Sequence, residues 1–478
     1  MIARRLLLWR VVVLLLLLVL ASQLTSCRQA QDFVCHDPDA GGTLQNSDRR
    51  FVLFGSDDSG GTGLGNFLVF YPAAYYFAAF TGRDLIISDG GVGSVIAEVC
   101  RIITCGFPFA SDLARAYPGI LTEEKMRKAP LVKKGDFQQH LEGSVNIDAH
   151  VVRAFGFIAQ SDWWVYFNYT AQCVSKITGC DLGDVSCAER HAFQRLIRGP
   201  FRASYTAREE ARVHGVPDNV RHAILTLPHA YAPRFDAAIH IRAQFHHFEN
   251  QVDVNDPAYK KEVHDWIQTE GQSVFREMEL KLLAELGHDD NHRANASMHH
   301  GVTSPTAGRN NASDPIYVYL AGDNEEVKEA FVAMLEQRRN SSSTSGGGGG
   351  GGGSIPSYDI RVMRMDASSI YHVKNLARLK NATNNEGVFD LVFDWYALSL
   401  SNKIFAWRKG SSGLISTFSQ SASRVSGTTQ RTMPLAPLNE GGVGTKGYQL
   451  EKDKRGNFHW KQHWCYAFLE DFKRPGDL

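Results

Sequence analysis

The stretch AAIHIR, residues 237–242, and the segments after it decide the fold class. Its apolar residues Ile239 and Ile241 alternate with His240 and Arg242, which is the period of a β-strand with two different faces. A segment with helical spacing follows at 259–286. The same alternation of strand and helix is then repeated at 316–320, 324–338, 358–363, 388–400 and 403–407. Strands that alternate with helices predict a doubly wound parallel sheet.

A second α/β unit is predicted on the N-terminal side of this stretch. It begins with an apolar strand at 51–54, a glycine-rich turn at 55–65, an apolar helix at 67–80 and a strand at 84–88. Pro72 lies inside that helix and predicts either a kink or a helix that starts after it. The predicted fold is therefore α/β with two Rossmann-like domains, 51–230 and 231–478.

Two polar segments within the second domain, 288–314 and 340–357, are predicted to be loop inserts. The second contains the run of glycines at 346–353, which is typical of a flexible linker. Histidines in the first insert are interpreted as solvated loop residues and not as metal ligands.

The charge balance limits the partners of the chain. Its 478 residues contain 51 Lys and Arg and 51 Asp and Glu, so no net charge attracts it to nucleic acid or to anionic lipid. Any phosphate binding must therefore be local, and no nucleic-acid partner is predicted.

The N-terminal 25 residues indicate the secretory route. Arg4, Arg5 and Arg10 precede or interrupt an apolar stretch that is typical of either a signal anchor or a cleaved signal peptide. Residues 26–50 are predicted to be a stem. We expect a single-pass type II membrane protein of the Golgi or ER lumen or, after cleavage, a secreted protein. Residues 24–27 also resemble a bacterial lipoprotein cleavage site.

A location in the lumen of the secretory pathway would allow both disulfide formation and N-glycosylation. Eight cysteines with no C-x-x-C spacing favour structural disulfides over a zinc site, although their pairing cannot be inferred from the sequence. Five acceptor sequons for N-glycosylation begin at Asn168, Asn295, Asn311, Asn340 and Asn381.

Candidate site residues follow three of the predicted strands. Arg242 ends one strand and could donate two hydrogen bonds to a phosphate. Asp323 follows the next strand, where it could cap a helix or accept hydrogen bonds from a nucleobase. The third strand leads to a Ser-rich turn that would open a helix toward an anion, at Ser416, Thr417, Phe418, Ser419 and Gln420. Since ligands bind outside the carboxyl ends of such strands, we expect one phosphate site there.

Several other site classes lack their motifs. The glycine-rich segment 60–66 matches neither a P-loop nor a complete dinucleotide-binding pattern. The patterns G-x-S-x-G and H-E-x-x-H are absent, which disfavours serine-hydrolase and zinc-protease chemistry. The only D-x-D lies at Asp37–Asp39, in the presumed stem. No metal and no separate cofactor are therefore predicted.

Four segments, taken in order, resemble motifs of the GDP-fucose-dependent fucosyltransferase superfamily. They are Gly63-Leu64-Gly65-Asn66, His240-Ile241-Arg242, Tyr319 to Asp323, and Asp394 to Ser401 together with Ser416 to Gln420. The continuation Thr81 to Ile87 is closest to the plant cell-wall branch, within a group that also includes core fucosyltransferase-like proteins. The resemblance implies a GT-B-like architecture and inverting, metal-independent transfer of fucose from GDP-fucose to a glycan or protein hydroxyl.

The resemblance also implies roles for particular residues. The donor would be bound by Gly65, Asn66, His240, Arg242, Asp323, Thr417, Phe418, Ser419 and Gln420. Arg242 would also stabilise the leaving diphosphate. Glu249 is the candidate general base, with His246, His247 and Asp253 as competitors. Domain 51–230 would face the acceptor, a glycan or glycoprotein, and domain 231–478 would bind the nucleotide sugar.

The chain also departs from the family pattern. Ala243 and Phe245 stand where the family often has a basic and an acidic residue, and Phe67 follows Asn66 where Gln or a basic residue is frequent. These departures leave two alternatives open. One is a lumenal nucleotide-sugar or glycan-binding protein without turnover. The other is a transferase that uses a different nucleotide sugar.

Overall fold

The structure is a computed structural model, and it describes the chain in fourteen segments. They are residues 37–38, 49–55, 64–89, 95–132, 149–154, 171–181, 184–204, 212–243, 256–288, 315–344, 359–366, 386–408, 416–426 and 430–432. The predicted signal segment, the polyglycine run and the candidate base Glu249 with its competitors lie outside these residues.

The N-terminal region contains a sheet of four parallel strands. They are β1 (Phe51–Phe54), β2 (Asp84–Ile87), β4 (Leu131–Val132) and β5 (Val151–Ala154), in the order β2-β1-β5-β4. All four residues of β1 are buried, as expected of a parallel strand that is covered on both faces. A separate antiparallel pair joins β3 (Ile103–Cys105) to β6 (Ile197–Phe201).

Helices of the N-terminal region alternate with these strands. Their bounds are α1 (Leu64–Phe80), α2 (Val95–Ile102), α3 (Ala110–Ala114), α4 (Glu123–Lys128), α5 (Ala171–Thr178), α6 (Val185–Leu196) and α7 (Asp218–Thr226). Helix α1 begins at Leu64 and continues through Pro72, so of the two predicted alternatives the start after Pro72 is wrong and the kink stays a prediction. A proline removes one backbone hydrogen bond, and the burial of the residues around it offsets that loss.

The C-terminal sheet has six strands in the order β12-β11-β8-β9-β10-β7. They are β7 (Val213–His214), β8 (Ala237–Arg242), β9 (Ile316–Gly322), β10 (Ile360–Met365), β11 (Ile404–Arg408) and β12 (Gln430–Thr432). All pairs are parallel except β7–β10. From β8 the chain continues to β9 and β10 on one side, whereas β11 and β12 lie on the other. This confirms the doubly wound sheet.

The helices of this region are α8 (Pro257–Trp266), a π-helical turn (Ile267–Gly271), α9 (Gln272–His288), α10 (Glu325–Thr344), α11 (Glu386–Ser399) and α12 (Thr417–Ser426). Part of one predicted loop insert is helical, and the Ser-rich turn that was predicted to open a helix lies in the helix itself from Thr417 onward. Helix α10 continues to Thr344, into the start of the predicted loop insert 340–357, because each added residue gains a hydrogen bond once a helix is nucleated. The segment predicted as a Ser-rich turn at 416–421 is the beginning of α12.

Among the residues that the structure describes, three apolar clusters form the core. The largest lies between the two sheets and includes residues of α1, α2, α6, α11 and α12. The second covers the opposite face of the C-terminal sheet, under α8, α9 and α10. The third packs α3 and α4 on the opposite face of the N-terminal sheet. Each sheet therefore has helices on both faces, which agrees with two Rossmann-like units.

Two disulfides join Cys100 to Cys105 and Cys180 to Cys187, so structural bridges are confirmed for these four cysteines. No helix within the described segments has the length and apolar character that a membrane span requires.

Candidate active site

The candidate site lies at the topological switch point of the C-terminal sheet. Strands β8 and β11 are neighbours there, with Arg408 opposite Arg242 in the parallel register. The chain leaves β8 toward β9 and leaves β11 toward α12, so a crevice forms outside their carboxyl ends. Arg242, the last residue of β8, lies at this crevice and is partly buried.

Two helix N-termini meet at the same place. A Cβ atom on Gly65, in the first turn of α1, would lie 2.3 Å from the backbone nitrogen of Phe418 and 2.5 Å from its Cα. These atoms belong to the first turn of α12, so the two backbones are in direct contact and only glycine fits at position 65. The first N–H groups of a helix lack partners within it and favour an anion.

Helix α12 also contacts β8 directly. The ring centroids of His240 and Phe418 are 5.4 Å apart at an interplanar angle of 45°. Arg242 follows His240 by two residues on β8. The structure brings together three of the predicted residues, Gly65, His240 and Phe418, from α1, β8 and α12. They are far apart in sequence, and only the parallel sheet and the packing of α1 on α12 make them neighbours.

His240 is a neutral, buried group. Burial, together with the smaller effect of the positive charge of Arg242, lowers its pKa to about 3. Its Nδ1 atom is buried and has no hydrogen-bond partner among the described residues. A neutral imidazole of this kind offers a donor or an acceptor to a ligand and adds no charge.

Asp323 follows the carboxyl end of β9 and approaches the end of β8. Its Oδ1 accepts a hydrogen bond from the backbone N–H of Ala243 at 3.0 Å, whereas Oδ2 is buried and unpaired within the described segments. Burial raises the pKa of Asp323 to about 6, and the Ala243 N–H and Arg242 oppose that rise. The side chain is therefore ionised at neutral pH and keeps one oxygen for an N–H or O–H donor.

The helix-capping alternative for Asp323 is wrong. Asn324 takes that role, because its Oδ1 accepts the Val327 N–H at 2.9 Å and its amide donates to the Tyr259 hydroxyl at 3.0 Å. Asp323 thus stays outside the helix α10 and points toward β8.

The serines of α12 fall into two groups. The hydroxyls of Ser421, Ser423 and Ser426 donate to carbonyls three residues earlier, which explains how a Ser-rich segment remains helical. At the N-terminus, Ser419 donates to the carbonyl of Ser416 at 3.2 Å. The Ser416 hydroxyl is buried and has no partner in the part of the chain that the structure describes.

The structure describes the side chains of only some of the remaining predicted residues. Thr417 and Gln420 are partly buried in the first turn of α12. Asn66 belongs to the first turn of α1, and its side chain lies outside what the structure describes. Glu249 is outside the described residues, so its role as a base stays a prediction.

Sequence reasoning missed a charged network beside the site. Lys328 of α10 is buried and lies near Asp323, Asp390 and Asp394, and the Tyr319 hydroxyl donates to Asp394 Oδ1 at 2.5 Å. One available signal was the position of Lys328 three residues before Phe331, on the apolar face of α10.

The described residues contain no group of three or more His, Cys, Asp or Glu side chains arranged to hold a metal ion. The polar groups that converge at the switch point are instead two helix N-termini, Arg242, a neutral His240 and Asp323. This set is suited to an anion with an attached hydrogen-bonding group, such as a nucleoside diphosphate.

No family model and no curated protein matches the sequence. Among solved structures, the chain aligns with the NodZ α-1,6-fucosyltransferase co-crystallized with GDP, at 13% identity and a TM-score of 0.32, over 78% of this chain and 91% of that one. Fucosyltransferase NodZ from Bradyrhizobium aligns with 13% identity and a TM-score of 0.32, over 78% and 92%. The same enzyme soaked with GDP-fucose gives 12% identity and a TM-score of 0.32, over 79% and 92%. Such loose superpositions do not establish a shared site.

Proposed function

We propose that this protein is an inverting, metal-independent glycosyltransferase that moves fucose from GDP-fucose to a glycan or protein hydroxyl. The observation that carries the proposal is the contact between the N-termini of α1 and α12 beside Arg242 at the switch point. The four motifs that resemble the GDP-fucose-dependent superfamily supply the identity of the sugar and nucleotide. Within that superfamily, the plant cell-wall branch is favoured by Thr81 to Ile87 alone.

The charges that develop on the donor as its glycosidic bond breaks explain how such a site would act. When the bond between the sugar and the diphosphate breaks, negative charge grows on the leaving diphosphate and positive charge on the sugar. Arg242 and the N–H groups at the start of α12 would stabilise that negative charge without rearrangement. Each preorganised donor of this kind contributes about 3–4 kcal/mol to the transition state.

His240 and Asp323 would bind and orient the donor. His240 offers an uncharged ring nitrogen, and Asp323 offers a carboxylate oxygen to N–H or O–H groups of the nucleoside. The acceptor hydroxyl would attack from the face opposite the diphosphate, which inverts the anomeric carbon. Glu249 remains the proposed general base for that hydroxyl.

The location of the protein is part of the proposal. The described disulfides favour an oxidising compartment. Together with the apolar N-terminal segment of the sequence, they support a Golgi or ER lumen enzyme held by a type II anchor, or its secreted form.

The test is turnover of GDP-fucose by the purified protein. We expect release of GDP, in transfer or in slow hydrolysis, that survives EDTA. Arg242→Ala should lower the rate by at least about 100-fold because it removes a cation from the leaving diphosphate. Arg361→Ala, an exposed arginine on β10 paired with Asp359, is the matched control and should leave the rate unchanged.

A second candidate function is nucleotide-sugar binding without turnover. It is favoured by Ala243, which is completely buried directly after Arg242, where a second cation would otherwise extend the phosphate site. Tight GDP binding with no turnover toward any acceptor would support this candidate. Strict dependence on Mn²⁺ would instead favour a transferase of another class.

A further inference from the structure

Position 243 is a poor place for a second phosphate-binding cation in this chain. Ala243 directly follows Arg242, but it is completely buried in the apolar cluster under α8, α9 and α10, together with Ile239 and Ile241 of β8. A charged side chain at that position would be surrounded by apolar groups, which is costly unless an opposite charge compensates it. A second cation for the phosphate site must therefore come from another strand.

The neighbouring strand β11 ends in such a residue. Strands β8 and β11 are parallel, and their register runs from the pair Ala238 and Ile404 to the pair Arg242 and Arg408. Both strands therefore end in an arginine at the same level of the sheet. Because neighbouring strands lie about 4.8 Å apart, the two arginines occupy adjacent backbone positions at the carboxyl edge.

The register also decides which face of the sheet these two positions share. Residues of odd number on both strands belong to the cluster under α8, α9 and α10; they include Ile239, Ile241, Phe405 and Trp407. The even-numbered pair Ala238 and Ile404 belongs to the cluster between the two sheets, on the opposite face. Because side chains alternate along a strand, the register positions of Arg242 and Arg408 lie on this second face.

The second face is the one on which α12 packs. His240, also even-numbered, has its ring centroid 5.4 Å from that of Phe418, in the first turn of α12. The same turn meets the first turn of α1 at Gly65. The two strand ends lie two residues beyond His240, about 7 Å further along the strands. Two arginine positions and two helix N-termini are therefore on one face of the sheet, at its carboxyl edge.

This arrangement concentrates positive charge. Helix N-termini carry the positive ends of their dipoles, and cations at adjacent positions repel each other. The whole chain has 51 basic and 51 acidic residues, so the excess of positive charge is local and does not reflect a basic protein. A bound anion with more than one negative charge would offset the repulsion, whereas a single carboxylate would offset only part of it.

We propose that Arg408 is the second cation of the candidate active site and binds the diphosphate together with Arg242. It supplies from β11 the charge that Ala243 does not supply from β8. Two guanidinium groups on neighbouring strand ends suit two linked phosphate groups, because each can donate a pair of parallel hydrogen bonds. That the diphosphate belongs to a nucleotide sugar rests on the proposed function, whereas the binding of a diphosphate by Arg408 does not.

The first test uses inorganic pyrophosphate, which carries a diphosphate without nucleoside or sugar. Calorimetric titration of the full chain should show that Arg408→Ala weakens pyrophosphate binding by at least about tenfold, because hydrogen bonds from a charged donor are lost. Arg408→Lys keeps the charge without the fork and should bind more tightly than the Ala variant. Arg361→Ala, on the exposed side of β10, is the matched control and should bind like the wild type. Wild-type affinity in Arg408→Ala would overturn the proposal.

Thermal melting without ligand separates a binding role from a structural one. Since Arg408 neighbours another cation, Arg408→Ala should melt at the wild-type temperature or about 1 °C above it in low salt. Pyrophosphate should then raise the melting temperature of the variant less than that of the wild type. A ligand-free variant that melts several degrees below the wild type would show that Arg408 supports the fold, and it would overturn the proposal.

The second test compares GDP with guanosine, which has no phosphate. Arg408→Ala should weaken GDP binding about tenfold and guanosine binding less than about twofold. Equal losses for both ligands would contradict a phosphate contact. Pyrophosphate binding that depends on Arg408, without GDP binding by the wild type, would contradict the proposed function and leave the assignment of Arg408 standing. A wild type that binds neither ligand would overturn both.

Discussion

Gly65 makes the closest backbone contact of the candidate site. We expect Gly65→Ala to force α1 away from α12, because the added Cβ would lie 2.3 Å from the backbone nitrogen of Phe418, which cannot move as a flexible side chain could. The free energy of unfolding should fall by about 1–3 kcal/mol. Nucleotide binding, measured by calorimetry, should weaken with it because the two N-termini separate.

Gly119→Ala is the matched control, since a Cβ at that position meets no atom within 4 Å. It should melt within about 1 °C of the wild type. Equal effects of the two substitutions would show that the contact with Phe418 is unimportant.

The ionisation of Asp323 makes stability depend on pH. Its pKa in the folded chain is about 6, above the ordinary value of 3.8, so folding strengthens its hold on the proton. That stabilisation is complete below about pH 4 and is lost as the pH rises through about 6. Asp323→Asn keeps an oxygen for the Ala243 N–H and removes the titration.

Between about pH 5 and pH 7.5, the wild type should therefore lose about 1 kcal/mol more unfolding free energy than Asp323→Asn. Chemical denaturation at both pH values measures this difference. If the unfolding free energy changed equally between the two pH values in the wild type and in Asp323→Asn, the folded-state pKa of Asp323 would be close to its ordinary value.

Helix α6 contacts α1 and α12 and thereby supports the candidate site. Its residue Glu189 pairs with Arg424 of α12 at 3.2 Å, and the Tyr76 hydroxyl of α1 donates to the carbonyl of Ala188 at 2.7 Å. The same helix begins beside the disulfide between Cys180 and Cys187. Helix α6 therefore links a covalent bridge to both helices whose N-termini form the candidate anion site.

Removal of this disulfide tests that support. The Cys180→Ser and Cys187→Ser double substitution should lower the unfolding free energy by about 2–3 kcal/mol, as expected for a short closed loop. Thermal melting with and without reductant measures the effect. A double variant as stable as the oxidised wild type would contradict the support of α6 by this disulfide.

The whole molecule shares one core between its two sheets. The central apolar cluster joins residues of α1 and α6 to residues of α11 and α12, and β7, which precedes residue 231, pairs with β10 of the C-terminal sheet. Arg212 adds an ion pair to Asp390 of α11 at 2.7 Å. The two units therefore bury each other's apolar faces.

This shared core predicts that the units do not fold separately. A fragment that starts at residue 231 should lack a cooperative melting transition and bind a hydrophobic dye, because it leaves the inner face of the C-terminal sheet without α1 and α6. Calorimetry of the fragment beside the full chain provides the measurement. A fragment with a sharp transition and no dye binding would disprove the shared core.

The amino-acid sequence determined the kinds of elements and most of their order. The apolar alternation of residues 237–242 and the segments after it is a local property, and the four strands predicted from it lie within two residues of their predicted ends, with Ala237–Arg242 matching at both ends. Strand β12 and the strands β3 to β7 were not predicted. The motifs at Gly65, Arg242, Asp323 and Phe418 could be identified because each is a short run beside a predicted strand or helix end. The local pattern did not choose between a kink at Pro72 and a later start of α1, and it ended α10 too early, before Asn340.

Tertiary structure alone decided which of these residues meet. The contact of Gly65 with Phe418 and the hydrogen bond from the buried Lys328 to the carbonyl of Met365 join segments distant in the chain. A periodic pattern in the sequence does not predict such contacts, because they follow from the order of the strands in the sheet and from two helices packing end to end. Charge and burial at Asp323 and His240, and hence their protonation, depend on those contacts.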